Sequence, residues 1–238
     1  MRPAGRTKPG EYWEYWEYWE YWEYYVTVFS VFLVFLVFLV FLVVLKGGKE
    51  NKMRKNFGAQ SWLYPMPVLI VATYDEKGNA DAMNAAWGGI HDTNQIGVCI
   101  DPSHKTAANL KLRGAFTVSV GTAEQVTACD YVGIVSGKDE PGKLKKAGFA
   151  TVKSEFVDAP VIQDLPLTLE CRLLSYDDAA GCTVGEIVNV SADERILGAD
   201  GKIDTEKLDP ICFDPVRHVY LRLGVIAGTA FKEGLKLK

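Results

Sequence analysis

Three short segments of this 238-residue chain combine residue types that can do chemistry. The first is Met83-Asn84-Ala85-Ala86-Trp87-Gly88-Gly89. Small side chains ahead of two glycines let a flat ligand approach the main chain, whose N–H and C=O groups can read a heterocycle's polar edge. Trp87 would flank such a ring, although a tightly packed strand with a bulge at the glycines uses the same residues. The second is Pro102-Ser103-His104-Lys105-Thr106, at a predicted helix start. Unpaired backbone N–H groups, the helix dipole, a lysine charge and two hydroxyls make a phosphate cradle. An ordinary serine cap beside a solvated lysine reads equally well. The third runs from Asp214 to Leu221, where His218 and Tyr220 are two apart. That spacing predicts one strand face bordering a ligand, or a structural hydrogen-bonding pair.

Other chemistry loses its usual support. The chain has no G-x-G-x-x-G, so a nicotinamide would not sit on a dinucleotide-binding fingerprint. G-x-S-x-G, H-E-x-x-H and Walker A patterns are missing too, which points to a bound cofactor carrying the hard step. His91, His104 and His218 are too far apart for a local zinc motif, and no metal is expected.

The elements that must position these segments are mostly strands. Pro67 to Tyr74 is an apolar run ended by the turn Asp75–Asn79 and followed by Ala80 to Gly88, a predicted hairpin. Gln95 to Ile100 and Ala115 to Val120 are further strands. Leu167, Leu169, Cys171 and Leu173 alternate with polar residues, and Asp177 to Gly181 turns that strand back into Thr183 to Val190. Ile211 to Gly224 holds another strand, followed by Val225 to Phe231. Ser103 is placed to cap a helix over His104 to Arg113, ended by Gly114. Thr122 to Gln125 has a capping-box pattern opening a helix towards Gly133, and Pro141 to Ala147 predicts a third helix ahead of Gly148. This is a mainly β chain with inserted helices, expected to form a closed or partly open antiparallel barrel rather than a doubly wound sheet.

Residues 53–238 suffice for one domain. The first 52 residues balance six Lys/Arg against six Glu, so the net charge of −4 belongs to the remainder. A mildly acidic domain without a basic run argues against nucleic acid as partner. Cys99, Cys129, Cys171, Cys182 and Cys212 are odd in number and widely spaced, which favours free thiols in a reducing compartment.

The first 52 residues read differently. Glu-Tyr-Trp is written four times from Glu11 to Trp22, and Val-Phe-Leu four times from Val31 to Leu42. Val26 to Leu45 is apolar except for Thr27 and Ser30, long enough as a helix to cross a bilayer. Lys46, Lys49, Lys52, Arg54 and Lys55 follow it, which would leave the domain on the cytoplasmic side. The competing expectation is a translated tandem repeat of nine nucleotides upstream of a start at Met53, a low-complexity extension outside the working protein.

The segments taken together resemble the flavin reductase-like family of the FMN-binding split β-barrel, in its flavoredoxin-like branch. The matching stretches are Asn84 to Gly89, Ser103 to Thr106 with Asn109, Ala115 to Ser119, and Cys129 to Gly133 with Ser136-Gly137. Glu155 to Pro160, Gly185 to Asn189, and Phe213 to Pro215 with His218 and Tyr220 also match. The likeness covers nearly all of residues 53–238 and none of 1–52.

The resemblance implies a homodimer with FMN near the subunit interface. The backbone of Asn84, Ala85, Ala86 and Trp87 would read the isoalloxazine edge. Ser103, Lys105 and Thr106 would hold the phosphate, with Asn109 nearby, and His218 and Tyr220 would lie towards the flavin's open face. NADH or NADPH would be the transient reductant, and free flavin, oxygen or a redox protein the acceptor. No side chain need act as acid or base. An electron carrier reduced by a protein, and a barrel that binds another planar ligand such as haem, are the alternative readings.

Overall fold

The computed structural model describes residues 13–45 and 53–238. Contacts divide the chain into two units, with the division between Ala59 and Gln60. The first unit contains one long helix, α1 (Trp13–Leu45), which takes in the Glu-Tyr-Trp repeat from Trp13 onward and the whole Val-Phe-Leu repeat. Its 33 residues span about 50 Å at about 1.5 Å per residue. The window Tyr24–Phe41 is long and apolar enough to cross a membrane and is unburied. A period of three spreads valine, phenylalanine and leucine around every side of a helix, so no amphipathic face forms. Lys46, Lys49 and Lys52, expected to flank the apolar run, lie outside the described residues.

The second unit is a curled antiparallel sheet with helices laid against it. Its elements run β1 (Met66–Pro67), β2 (Leu69–Tyr74), β3 (Ala80–Ala85), β4 (Gly88–Asp92), β5 (Gln95–Cys99), α2 (Lys105–Arg113) and β6 (Ala115–Val120). There follow α3 (Val126–Ile134), α4 (Lys143–Ala147), β7 (Thr151–Lys153), β8 (Pro160–Ile162), β9 (Leu167–Asp177) and β10 (Cys182–Ala192). The last are α5 (Thr205–Leu208), β11 (Ile211–Asp214) and β12 (Val219–Arg222), with short 3-10 turns at Glu194–Ile196 and Glu233–Leu237. Seven strands form the main sheet in the order β3-β2-β6-β9-β10-β5-β4.

That order explains the barrel. The two edge strands, β3 and β4, are consecutive in the chain and joined only by Ala86 and Trp87. The sheet must therefore curl until its opposite edges nearly meet, leaving a seam bridged by main chain rather than by ladder hydrogen bonds. Edge strands carry unpaired N–H and C=O groups, so the seam is where a polar ligand can add to the sheet.

The sequence of β2, Leu-Ile-Val-Ala-Thr-Tyr, has apolar residues on both faces because both are covered. Leu69 and Val71 point into the barrel with Ile96, Val98, Leu110 and Phe116. Ile70 and Ala72 pack under a second layer that includes Cys129, Val132, Leu144 and Ile162. Inside the barrel the Phe116 ring occupies the space a side chain would need at Gly185, whose added Cβ would lie 2.4 Å from Phe116 Cζ.

Several predicted boundaries move. The run Ala80 to Gly88 is two elements, because the chain leaves β3 at Ala85 and crosses the seam before starting β4. Ile211 to Gly224 is a hairpin, β11 against β12, not one strand. Val225 to Phe231 is exposed and carries no strand. Thr122 does not cap α3, which starts at Val126; its backbone forms an antiparallel bridge with Pro210 instead. The helix over His104 to Arg113 takes His104, not Ser103, at its N-cap position and ends at left-handed Gly114.

Candidate functional site

Two clusters of predicted residues lie along the seam. In the first, Asn84 on β3 donates from Nδ2 to Cys129 O at 3.1 Å and to the Tyr220 hydroxyl at 3.4 Å. Tyr220 donates in turn to Asp130 Oδ1 at 2.7 Å. Loss of solvent, then the Asp130 carboxylate, pushes the Tyr220 phenol well above its ordinary range, so it stays a donor at neutral pH. The structure thus joins two residues far apart in sequence, Asn84 and Tyr220. The Asn84 Nδ2 donor is thus committed within the protein. Trp87 is 57% exposed, and its carbonyl accepts Cys99 N–H at 2.8 Å.

His218 departs from expectation. It lies in the turn between β11 and β12 with φ of 56°, outside the strand that holds Tyr220. The turn closes because the Asp214 carboxylate accepts the N–H groups of Val216 and Arg217, and His218 N–H reaches Asp214 O. The two rings meet instead across Phe213, His218 stacked on it at 6.2 Å and Tyr220 tilted at 6.1 Å.

The second cluster is built on the start of α2. No side chain caps this helix and its first turn holds no acidic residue, which leaves backbone N–H groups and the positive dipole end without an internal partner. Lys105 Nζ lies 3.3 Å from Asp75 Oδ2 and 3.5 Å from Gly137 O. Lys138 Nζ donates to Ser103 O at 2.5 Å. Asp101 accepts Ser103 N–H, and its hydrogen bonds from Ser103, side chain first and then main chain, hold its carboxyl below the usual range. Thr106 and Asn109 lie deeper, at 2% and 5% exposure. Asn109 Nδ2 donates to Thr73 Oγ1 at 3.0 Å, which ties α2 to the sheet.

One segment links the clusters. From Gly133 to Lys138 the chain passes β3 with two glycines against it. A Cβ at Gly133 would lie 2.8 Å from Asn84 Cβ, and one at Gly137 would lie 2.2 Å from Asp81 Oδ1. The segment is anchored from below by Lys143, whose Nζ donates to Val132 O and Val135 O and lies 3.3 Å from Asp81 Oδ1. Sequence reasoning missed Lys138, Asp75 and Lys143. Lys138 directly follows the Ser136-Gly137 pair, which was the available signal. The other two belong to the site only through folding.

The arrangement suits an elongated ligand with a flat polar end and an anionic end. The start of α2, Lys105, Lys138 and Ser103 fit a phosphate, and the seam backbone beside exposed Trp87 fits a ring.

Residues 61–207 match the flavin reductase like domain, and the chain belongs to that family. It is similar to the flavoredoxin of Desulfovibrio vulgaris (Miyazaki F), with 36% identity and a TM-score of 0.73, covering 76% of this chain and 100% of that one. Likeness to a flavoredoxin from Methanosarcina acetivorans has 31% identity and a TM-score of 0.70, covering 78% and 100%. An uncharacterized protein of Archaeoglobus fulgidus is 31% identical over 147 residues, 60% of this chain and 80% of that protein. The mainly β, curled seven-stranded architecture is that of the FMN-binding split barrel, as in an FMN-binding domain of a flavin reductases-like enzyme from Shewanella baltica, with a TM-score of 0.62 at 20% identity.

Proposed function

We propose that this chain is an FMN-dependent oxidoreductase that uses NADH or NADPH as reductant and hands the electrons to free flavin or another acceptor. The observation that carries the reading is the single strip along the seam, where a lysine-flanked helix start and an open strand edge are bridged by Gly133–Lys138. Bound FMN supplies the hydride-accepting chemistry. The chain's own residues bind and orient. Ser103, Lys105, Lys138 and the first N–H groups of α2 would hold the phosphate, with Thr106 and Asn109 fixing the helix behind them. The Asn84–Trp87 backbone would meet the ring edge, while Asn84, Tyr220 and Asp130 hold that stretch of β3 in place. His218, exposed on its turn, would border the open face.

A second reading has specific support. The two flavoredoxins are among the nearer relatives in sequence, which favours an electron carrier reduced by a protein partner. Direct oxidation of NADH or NADPH separates the two, since a carrier shows almost none. A homodimer is part of the proposal. Leu221, Leu223, Val225, Ile226 and Phe231 are all exposed on the C-terminal segment, apolar surface that a second copy would cover. The barrel would work in the cytoplasm, tethered at a membrane where α1 acts as an anchor.

The test is titration of the full chain with FMN, followed by quenching of flavin fluorescence. Saturation at one FMN per chain supports the reading. Failure to quench at any concentration would sink it.

A further inference from the structure

Two cysteines outside the flavin strip face each other across the sheet. Cys99 ends β5 and Cys182 begins β10, and they are direct partners in the antiparallel register. The main chain fixes which kind of pair this is. Cys99 N–H points to the β4 side and donates to Trp87 O at 2.8 Å, whereas the next N–H, of Ile100, reaches Gly181 O at 2.7 Å on the β10 side. Cys99 and Cys182 are therefore a non-hydrogen-bonded pair, the geometry that brings opposed Cα atoms to about 4.5 Å and side chains closest together. That separation falls at the short end of the range disulfides span, about 4.4–6.8 Å.

Both thiols are exposed, while Cys129, Cys171 and Cys212 are buried. Burial pushes Cys129 up to about 11 and Cys171 up to about 12, which leaves them unreactive near neutrality. Loss of solvent, then the neighbouring Cys182 thiol, raises Cys99, and the strand register sets the two residues directly opposite each other.

We propose that Cys99 and Cys182 form a reversible cross-strand disulfide when the chain meets a small-molecule disulfide oxidant. One cysteine thiolate attacks a sulfur of the oxidant, breaking its S–S bond, forming a mixed disulfide and releasing one thiol. The second cysteine attacks the protein sulfur of that mixed disulfide, forming the Cys99–Cys182 bond and expelling the second thiol. Two electrons pass from the cysteines to the oxidant, and both cysteine protons leave with the released thiols. Both sulfurs would sit at the exposed surface, where a disulfide is of the labile rather than the structural kind. The bond would lie one hydrogen bond from the Trp87 carbonyl, so its formation would stiffen the β4–β5 side of the seam.

The test equilibrates the full chain in buffers of graded reduced and oxidised glutathione, quenches with acid, alkylates free thiols and counts them by mass spectrometry. Of the five thiols, Cys99 and Cys182 should become protected together, with one midpoint, as a peptide cross-link that dithiothreitol reverses. Cys99→Ser and Cys182→Ser should each abolish the cross-link and leave the buried thiols unchanged. Wild-type chain that stays fully alkylatable would overturn the proposal. So would wild-type chain that stops at a stable glutathione adduct or links to a second chain.

Discussion

The Asp81–Lys143 pair offers the sharpest test of how the seam is held. The two side chains are 3% and 4% exposed and 3.3 Å apart. At an effective dielectric of about 20 their attraction is about 5 kcal/mol, opposed by several kcal/mol for desolvating each ion. The balance is incomplete, because Asp81 Oδ2 has no hydrogen-bond partner. Burial, partly offset by Asp81, also lowers the Lys143 pKa. Lys143→Met fills similar space but strands the Asp81 charge and releases the carbonyls of Val132 and Val135. The expected loss of stability is about 3–5 kcal/mol, the usual cost of removing one partner of a buried pair. Adding Asp81→Asn should recover part of that loss, since the stranded charge is gone, so the double mutant should be more stable than Lys143→Met alone. Urea unfolding followed by circular dichroism, compared at fixed slope, reads both values. A Lys143→Met loss below about 1 kcal/mol, or a double mutant weaker than the single, would refute the reasoning.

Further outcomes follow from the same geometry. Lys105→Ala removes a charge-assisted contact worth about 1.5–3 kcal/mol, so FMN dissociation constants from fluorescence quenching should rise roughly 10- to 150-fold with the fold intact. Tyr220→Phe takes the hydroxyl from both Asn84 and Asp130 and should cost about 1–3 kcal/mol in urea unfolding. The carboxyls of Asp101 and Asp214 are held below 3.8, chiefly by Ser103 and Tyr64 respectively. At Asp75, burial pushes up, but Asn79, Lys105 and Lys77 outweigh it and the net shift is down. Groups depressed in the folded state contribute stability that is fully present above their unfolded values and lost as pH falls through the folded ones. Urea midpoints should therefore drop from about pH 5 towards about pH 2, and less steeply in Asp101→Asn.

Much of the barrel was legible because local chemistry dictates it. The Asp75–Asn79 turn follows from its side chains: Asp75 Oδ1 accepts the N–H groups of Lys77 and Asn79, and Gly78 takes φ of 81°. Gly114 and Gly148 end their helices in the left-handed region, as their positions predicted. The errors fell where tertiary contacts decide. Thr122 has the residues of a capping box, but its bridge to Pro210 wins over the local cap. The break after Ala85 has no local cause, since it follows from the sheet's two edges having to meet. In the site, the Asn84–Gly89 stretch and the Lys105 turn were visible as small residues, glycines and a charged helix start. The Asn84–Tyr220–Asp130 chain was not, because no spacing rule joins a strand edge to a distant hairpin. Likewise Cys99 and Cys182, widely spaced in sequence, become neighbours only through the β5–β10 register.

The most direct test of the central claim is the visible absorbance of the FMN-loaded full chain, before and after anaerobic addition of NADH and then NADPH. The account predicts a yellow protein that bleaches with one of them. Yellow protein that stays oxidised with both would contradict direct hydride uptake and leave the carrier reading. Protein that cannot be loaded with FMN would contradict the flavin site itself.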